Sequence, residues 1–215
     1  NYKLYNTNKM SELDLLSKLS RKIFHDLINP ASSALNGLEL FKLTIPDEKK
    51  SVVDDEAFQL IEKSVGKLLS QLKIYRTAYT DISGEIFASV NVDEFRKSTD
   101  DFINHTKLNV NFKIENKQIS KWSTIILSNI YILSVQLFPQ GAGIFIKSLN
   151  EKVLLIELES DTVKFNLDLY KQLEDIEAFS DNIQLEFYKL LLEQYGLKQN
   201  LSKIDNRISL KLALI

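Results

Sequence analysis

Residues 21–40, RKIFHDLINPASSALNGLEL, decide how the amino-terminal part of this chain is read. Around them, apolar residues recur at 16, 19, 23, 27, 31, 34, 38 and 41. Steps of three and four predict one long helix, from about Ser11 to Thr44, with a single continuous buried stripe. His25 lies two positions beyond Ile23, a rotation of about 200° at helical pitch, and so falls off that stripe. One turn away are Arg21 and Lys22 on one side and Ile28 and Asn29 on the other. Ser32, Ser33 and Asn36 continue the same face, a polar strip of small side chains. Pro30 lacks the N–H that would bond the Asp26 carbonyl, so a bend or loosening is expected one turn from His25. In a regular helix interior that costs about 3 kcal/mol. A surface histidine and a proline kink are each ordinary features of long helices; their adjacency, with an aspartate between them, is what points to chemistry.

Pro46 ends this helix, and the charged segment IPDEKK makes a short connection. A second periodic segment, with apolar positions 58, 61, 65, 68, 72, 75 and 79, runs from about Val53 to Tyr79. Two long helices and a short loop form an antiparallel hairpin. Folding back between Asp47 and Ser51 sets His25 level with Leu72 and brings Tyr75 and Arg76 within about one turn of it. A lone hairpin cannot cover its own apolar faces, so a homodimer forming a four-helix bundle is expected. This first unit spans residues 8–82.

Of the 215 residues, 44% are hydrophobic and 26% charged, the composition of a folded globular protein. The formal net charge of −2 argues against a nucleic-acid or acidic-membrane binder, which needs a basic excess. No apolar run is long enough to span a bilayer, and no secretory pattern is visible, so the expected compartment is the cytoplasm. The absence of cysteine excludes disulfides, thiolate metal sites and cysteine nucleophiles, and two histidines, His25 and His105, are too few for a histidine-rich metal site.

DISGEI, 81–86, breaks the periodicity at Gly84 and reads as a hinge. Beyond it, residues 86–215 form a second unit. A helix from about Asp93, a half-buried strand at LNVNFKI, and a helix apolar nearly all round in SKWSTIILSNIYILSVQLF are expected. Two hairpins follow, IFIKSL with KVLLIELES and LKQNLSKI with RISLKLALI, separated by a helix that stops at Gly196. The fold class is α+β, a helical hairpin followed by an antiparallel-rich sheet backed by helices. Trp122 reads as core, His105 as a surface residue near a helix end, and Tyr75, Tyr79, Phe87 and Phe95 as packing around the hinge.

HDLINPASSALNGLEL resembles the phosphoacceptor box of bacterial two-component proteins, a histidine followed by an acidic residue with a proline five positions on. It is closer to the ChpT-type histidine phosphotransferases, whose box continues through an N-G-L-E-L segment matched here by Asn36, Gly37, Leu38, Glu39 and Leu40. LKIYRTAY, 72–79, is similar to the end of that family's second helix. The resemblance implies a dimerisation hairpin followed by a degenerate ATPase-like domain of the histidine-kinase type. It implies His25 as phosphoacceptor, with Asp26, Asn29 and Pro30 completing the catalytic box. Asp26 is the candidate to fix the ring tautomer. Arg21, Lys22, Ser32, Ser33, Asn36, Tyr75 and Arg76 are then candidates for meeting the partner. The implied partners are receiver domains, one on a hybrid histidine kinase and others on response regulators, which bring their own magnesium.

Histidine kinases also bind ATP, and that chemistry needs polar magnesium ligands and glycine loops that let backbone approach phosphate. Here Asn129 stands where a kinase has its first metal-holding asparagine, but the position four residues on is Leu133. Asp161 is followed by no glycine, and the glycines at 37, 66, 84, 141, 143 and 196 all miss the expected loops. The expectation is a phosphotransferase with no cofactor of its own and no ATP. The alternatives are an ATP-dependent histidine kinase and a non-catalytic dimeric adaptor for a response regulator.

Overall fold

The chain's fold was obtained as a computed structural model that describes residues 12–82, 84–114, 116–150, 152–160, 165–205 and 207–214. Helix α1 (Glu12–Thr44) runs unbroken through Pro30. A 3-10 helix (Asp47–Val52) leads to α2 (Glu56–Tyr79), whose N-terminus is capped by the Asp55 carboxylate accepting from the Ala57 N–H. The turn is longer than the sequence implies, so the pairing shifts by about one helical turn. Phe24 meets Tyr75 and Tyr79 at ring separations of 6.4 and 6.2 Å, which sets His25 level with these tyrosines rather than with Leu72.

The contacts between α1 and α2 use Phe24, Ile28, Ala31 and Leu35 against Leu69 and Leu72. That corrects the expected single stripe. Leu16, Ile23, Leu27 and Phe41 are 41%, 45%, 48% and 41% exposed, and Ile61 and Leu68 of α2 are 53% and 50% exposed. Helix α1 thus has two adjacent apolar stripes, one against α2 and one open. The open one repeats at sevens (16 and 23 on α1, 61 and 68 on α2) with Leu27 beside it, the spacing of a bundle seam, while Phe41 also meets Phe58 of α2 at a ring separation of 5.7 Å.

The second half is mixed α and β, as expected. Strand β1 (Ser89–Asn91) pairs with β3 (Gln118–Ser120), and between them lie α3 (Val92–Asn104) and β2 (Leu108–Phe112). Helix α4 (Lys121–Leu137) follows, then the hairpin β4 (Ala142–Asn150) and β5 (Val153–Glu159). After it come α5 (Leu167–Glu174), α6 (Ile183–Gln194) and the hairpin β6 (Leu197–Ile204) and β7 (Arg207–Leu214). The larger sheet has the order β2-β4-β5-β7-β6 and is antiparallel except for β2 with β4. That parallel pair needs a crossover, which β3 and α4 supply. Gly141 makes the entry to β4: its φ is +111°, and a Cβ there would stand 2.5 Å from the Lys107 carbonyl oxygen.

Helix α4 is the centre of the domain, buried on every side, with Trp122 and Tyr131 among its core residues. The main core also takes in Ile74, Ala78 and Ile82, so the last two turns of α2 pack as part of the second half. Asp81 and Ile82, at the start of the expected hinge, are tied down rather than loose. Asp81 adopts a left-handed φ of 59° and bonds Arg21 of α1, Ile82 is fully buried, and the Ile82 carbonyl accepts from the Tyr195 hydroxyl at 3.1 Å. Phe87, expected to pack here, is 66% exposed instead. Among the described residues no helix is long and apolar enough to cross a membrane.

Candidate functional site

The site is built on the outer face of α1, opposite its open apolar stripe. The His25 side chain is 72% exposed. Its Nδ1 stands 3.3 Å from Oδ1 of Asp26, and its Nε2 stands 3.5 Å from Nδ2 of Asn29. The two contacts are mutually consistent in one tautomer: Nδ1–H donates to the carboxylate, and the Nε2 lone pair accepts from the Asn29 amide. The nitrogen left nucleophilic is Nε2, the outer one. Asn29 is four residues on, one helical turn along the same face, and Pro30 leaves the Asp26 carbonyl without its helical donor.

Other sequence-predicted residues fall as follows. Ser33 and Asn36 are exposed and Ser32 is half-buried, so the polar strip continues toward the carboxyl end of α1. A Cβ at Gly37 would meet nothing within 4 Å, so the strip ends on open surface. Lys22 is exposed, whereas Arg21 is engaged with Asp81. Tyr75 is half-buried beneath Phe24, not beside the imidazole. Arg76 is exposed and points into a cleft between α2 and α3. His105 is exposed at the end of α3, its ring Nδ1 2.7 Å from the Asp101 carbonyl.

Beneath His25 the structure has a support that no local motif announced. Phe24 stacks on Tyr79, whose ring meets Phe187 of α6 edge-on at 4.8 Å. The Tyr79 hydroxyl donates to Oε1 of Gln184. Nε2 of Gln184 donates to Oδ1 of Asn129 at 2.7 Å, and Nδ2 of Asn129 donates to the carbonyls of Ile125, at 2.8 Å, and of Ala78, at 3.2 Å. Asn129 is fully buried and Gln184 nearly so. Asn129, which the sequence likened to a kinase's metal-holding asparagine, spends its amide holding the end of α2 against α4 and α6. Burial, with the neighbouring Tyr75, pushes the Tyr79 phenol up to about 12, so it stays a donor across the physiological range. Leu133, one turn further along α4, is buried core. Asp161 lies outside the described residues.

No family model and no curated protein sequence matches this chain. Among solved structures, a bacterial phosphotransferase superposes with a TM-score of 0.63 at 18% identity, covering 95% of this chain and 98% of that one. The histidine kinase domain of the blue-light-activated kinase from Erythrobacter litoralis gives a TM-score of 0.44 at 12% identity over 85% and 95% of the two chains. ShkA, solved full-length with AMPPNP, gives 0.48 at 12% identity over 93% of this chain and 46% of that one. At these identities the likeness is one of fold: the chain has the helical-hairpin-plus-α/β architecture of the bacterial phosphotransferase, end to end.

Proposed function

We propose that this protein is a histidine phosphotransferase that relays phosphate between receiver-domain aspartates through His25. The observation that carries the reading is the imidazole itself, open to solvent, with a carboxylate at one ring nitrogen and an amide at the other. In the forward step the Nε2 lone pair attacks the phosphorus of a receiver's aspartyl phosphate. The N–P bond forms as the P–O bond to the aspartyl carboxylate breaks, and that carboxylate leaves. The ring then carries phosphoryl on Nε2 and a proton on Nδ1, and so a positive charge, which Asp26 faces. The second receiver's aspartate reverses the step. Magnesium, which neutralises the equatorial oxygens, arrives with the receiver.

The exposed seam of Leu16, Ile23, Leu27, Ile61 and Leu68 supports a homodimer in which two hairpins close a four-helix bundle. That pairing leaves His25 outward, since it projects from the other side of α1. Two observations favour a relay over an ATP-dependent kinase: the glycines fall outside the loops where a kinase carries them, and Asn129 is buried with both amide hydrogens and its side-chain oxygen engaged by Ile125, Ala78 and Gln184. The test is to mix the full chain with receiver domains phosphorylated by acetyl phosphate and map the label. Acid-labile, alkali-stable label on His25, lost in His25→Ala and absent with ATP alone, is the expected result. Labelling by ATP alone would make the protein a kinase, and labelling of His25→Ala would move the acceptor elsewhere.

A further inference from the structure

Between the hairpin and the second half lies a cleft of about 450 Å³, walled by α2, α3 and the start of α4. Lys73, Arg76, Lys97 and Lys121 face it, against Asp81 and Asp101. Four cations to two anions is a local excess of two positive charges in a chain of formal net charge −2. Helical spacing produces it: 73, 76, 77 and 80 form one face of α2, and 97, 98 and 101 one face of α3. Asp101 pairs with Lys73 at 3.2 Å, and Asp81 stands 3.9 Å from Lys121 while bonding Arg21. Among the described residues, Arg76 and Lys97 have no carboxylate partner. Arg21, one turn before His25 on α1, pairs with Asp81 of the cleft wall, which ties the cleft to the helix that carries the imidazole.

The geometry points to this cleft as the seat for an acidic segment of the protein that exchanges phosphate with His25. The identity of that partner rests on the phosphotransfer reading; the acidic chemistry does not. A compact phosphate ligand fits less well, because the hydroxyls in the cleft have no hydrogens to offer. Thr77 donates to the Lys73 carbonyl, Thr80 to that of Arg76, Ser98 to that of Phe95 and Thr124 to that of Lys121. What remains is ammonium and guanidinium groups, exposed at Lys73, Arg76 and Lys97 and half-buried at Lys121, separated by two carboxylates. Such a surface attracts spaced carboxylates and orients an approaching partner; it does not cradle one dianion.

Two measurements test this. In the first, fluorescein-labelled hexaglutamate is titrated with the full chain at low salt. Wild type is expected to bind it, and Arg76→Glu with Lys97→Glu to weaken binding by about tenfold or more, with unchanged thermal melting. Binding in wild type should also weaken steeply with salt, a readout independent of any variant. Equal binding by the double variant, or displacement by inorganic phosphate as effective as by unlabelled hexaglutamate, overturns the inference. In the second, phosphorylated receiver domains are mixed with the chain and the rate of His25 labelling followed. The double variant should be slower at low salt and converge on wild type at high salt. Equal rates at low salt overturn the cleft while leaving phosphotransfer standing. No label on wild-type His25 overturns phosphotransfer, and the hexaglutamate titration then decides the cleft alone.

Discussion

At the scale of single residues, the proposed phosphotransfer depends on which ring nitrogen of His25 holds the proton. Asp26 at Nδ1 and Asn29 at Nε2 select the same tautomer from opposite sides. Asp26→Asn keeps the shape and removes the charge that faces the phosphorylated ring. Its His25 labelling rate is expected to fall by about 10- to 100-fold, the loss seen when the carboxylate that orients a metal-bound histidine is removed, and single-turnover labelling measures it. A quite different effect is expected at Asn129. Asn129→Ala leaves the Gln184 amide and the Ala78 carbonyl buried without their partner, which costs about 1–3 kcal/mol. Urea denaturation should show that loss, and the variant should still accept phosphate on His25. This residue scale was legible only in part. The His25–Asp26–Asn29 group lies within one helical turn and could be read directly. The links from Tyr79 and Asn129 to Gln184 join residues 105 and 55 positions apart, and no local pattern carries such a separation.

The elements themselves were mostly visible, because their periodicities are strong. The helices at the hairpin and at Lys121–Leu137, and both carboxy-terminal β hairpins, follow from spacing and turn residues. What escaped was short or non-local. β1 and β3 have three residues each, too few to show alternation, and the parallel pairing of β2 with β4 is set by the crossover through α4. The stripe read from spacing took in 16, 23 and 27 and passed over 24, 28 and 35, which face α2, for a simple reason. Residues 24, 28, 31 and 35 are as apolar as 16, 23 and 27, and hydropathy does not say which faces an intrachain neighbour. The seam makes its own prediction. Leu27→Glu with Leu68→Glu places charges on the open stripe of both helices, away from the Phe24–Leu72 contacts. Sedimentation should show wild-type dimers and double-variant monomers, with helix content by circular dichroism essentially unchanged.

For the whole molecule, the end of α2 is both part of the hairpin and part of the second half's core, so the two are held together by Ile74, Ala78, Ile82 and the Tyr79–Gln184–Asn129 network. Buried tyrosines give the molecule an alkaline limit. Burial raises the phenol of Tyr79 to about 12, and it raises those of Tyr131, Tyr188 and Tyr195 as well. In the unfolded chain they titrate near the ordinary value of about 10. Above that pH the unfolded state loses protons that the folded state keeps, so stability falls as pH rises. The contribution is complete below about pH 10 and for Tyr79 is lost as pH passes toward about 12. Thermal melting followed between neutrality and pH 11 should show a plateau and then a decline, shallower in Tyr79→Phe. A profile flat to pH 11 would contradict the burial assigned to these rings.

The central claim is that His25, presented from a hairpin without a nucleotide of its own, receives phosphate from another protein. The most direct measurement is to incubate the full chain with phosphorylated receiver domains and, in parallel, with ATP and magnesium, and to identify the labelled residue by mass spectrometry under alkaline conditions. Phosphohistidine at position 25 from the receiver, and none from ATP, is the expected result. Phosphate on His25 from ATP alone, or none from any receiver, would contradict it.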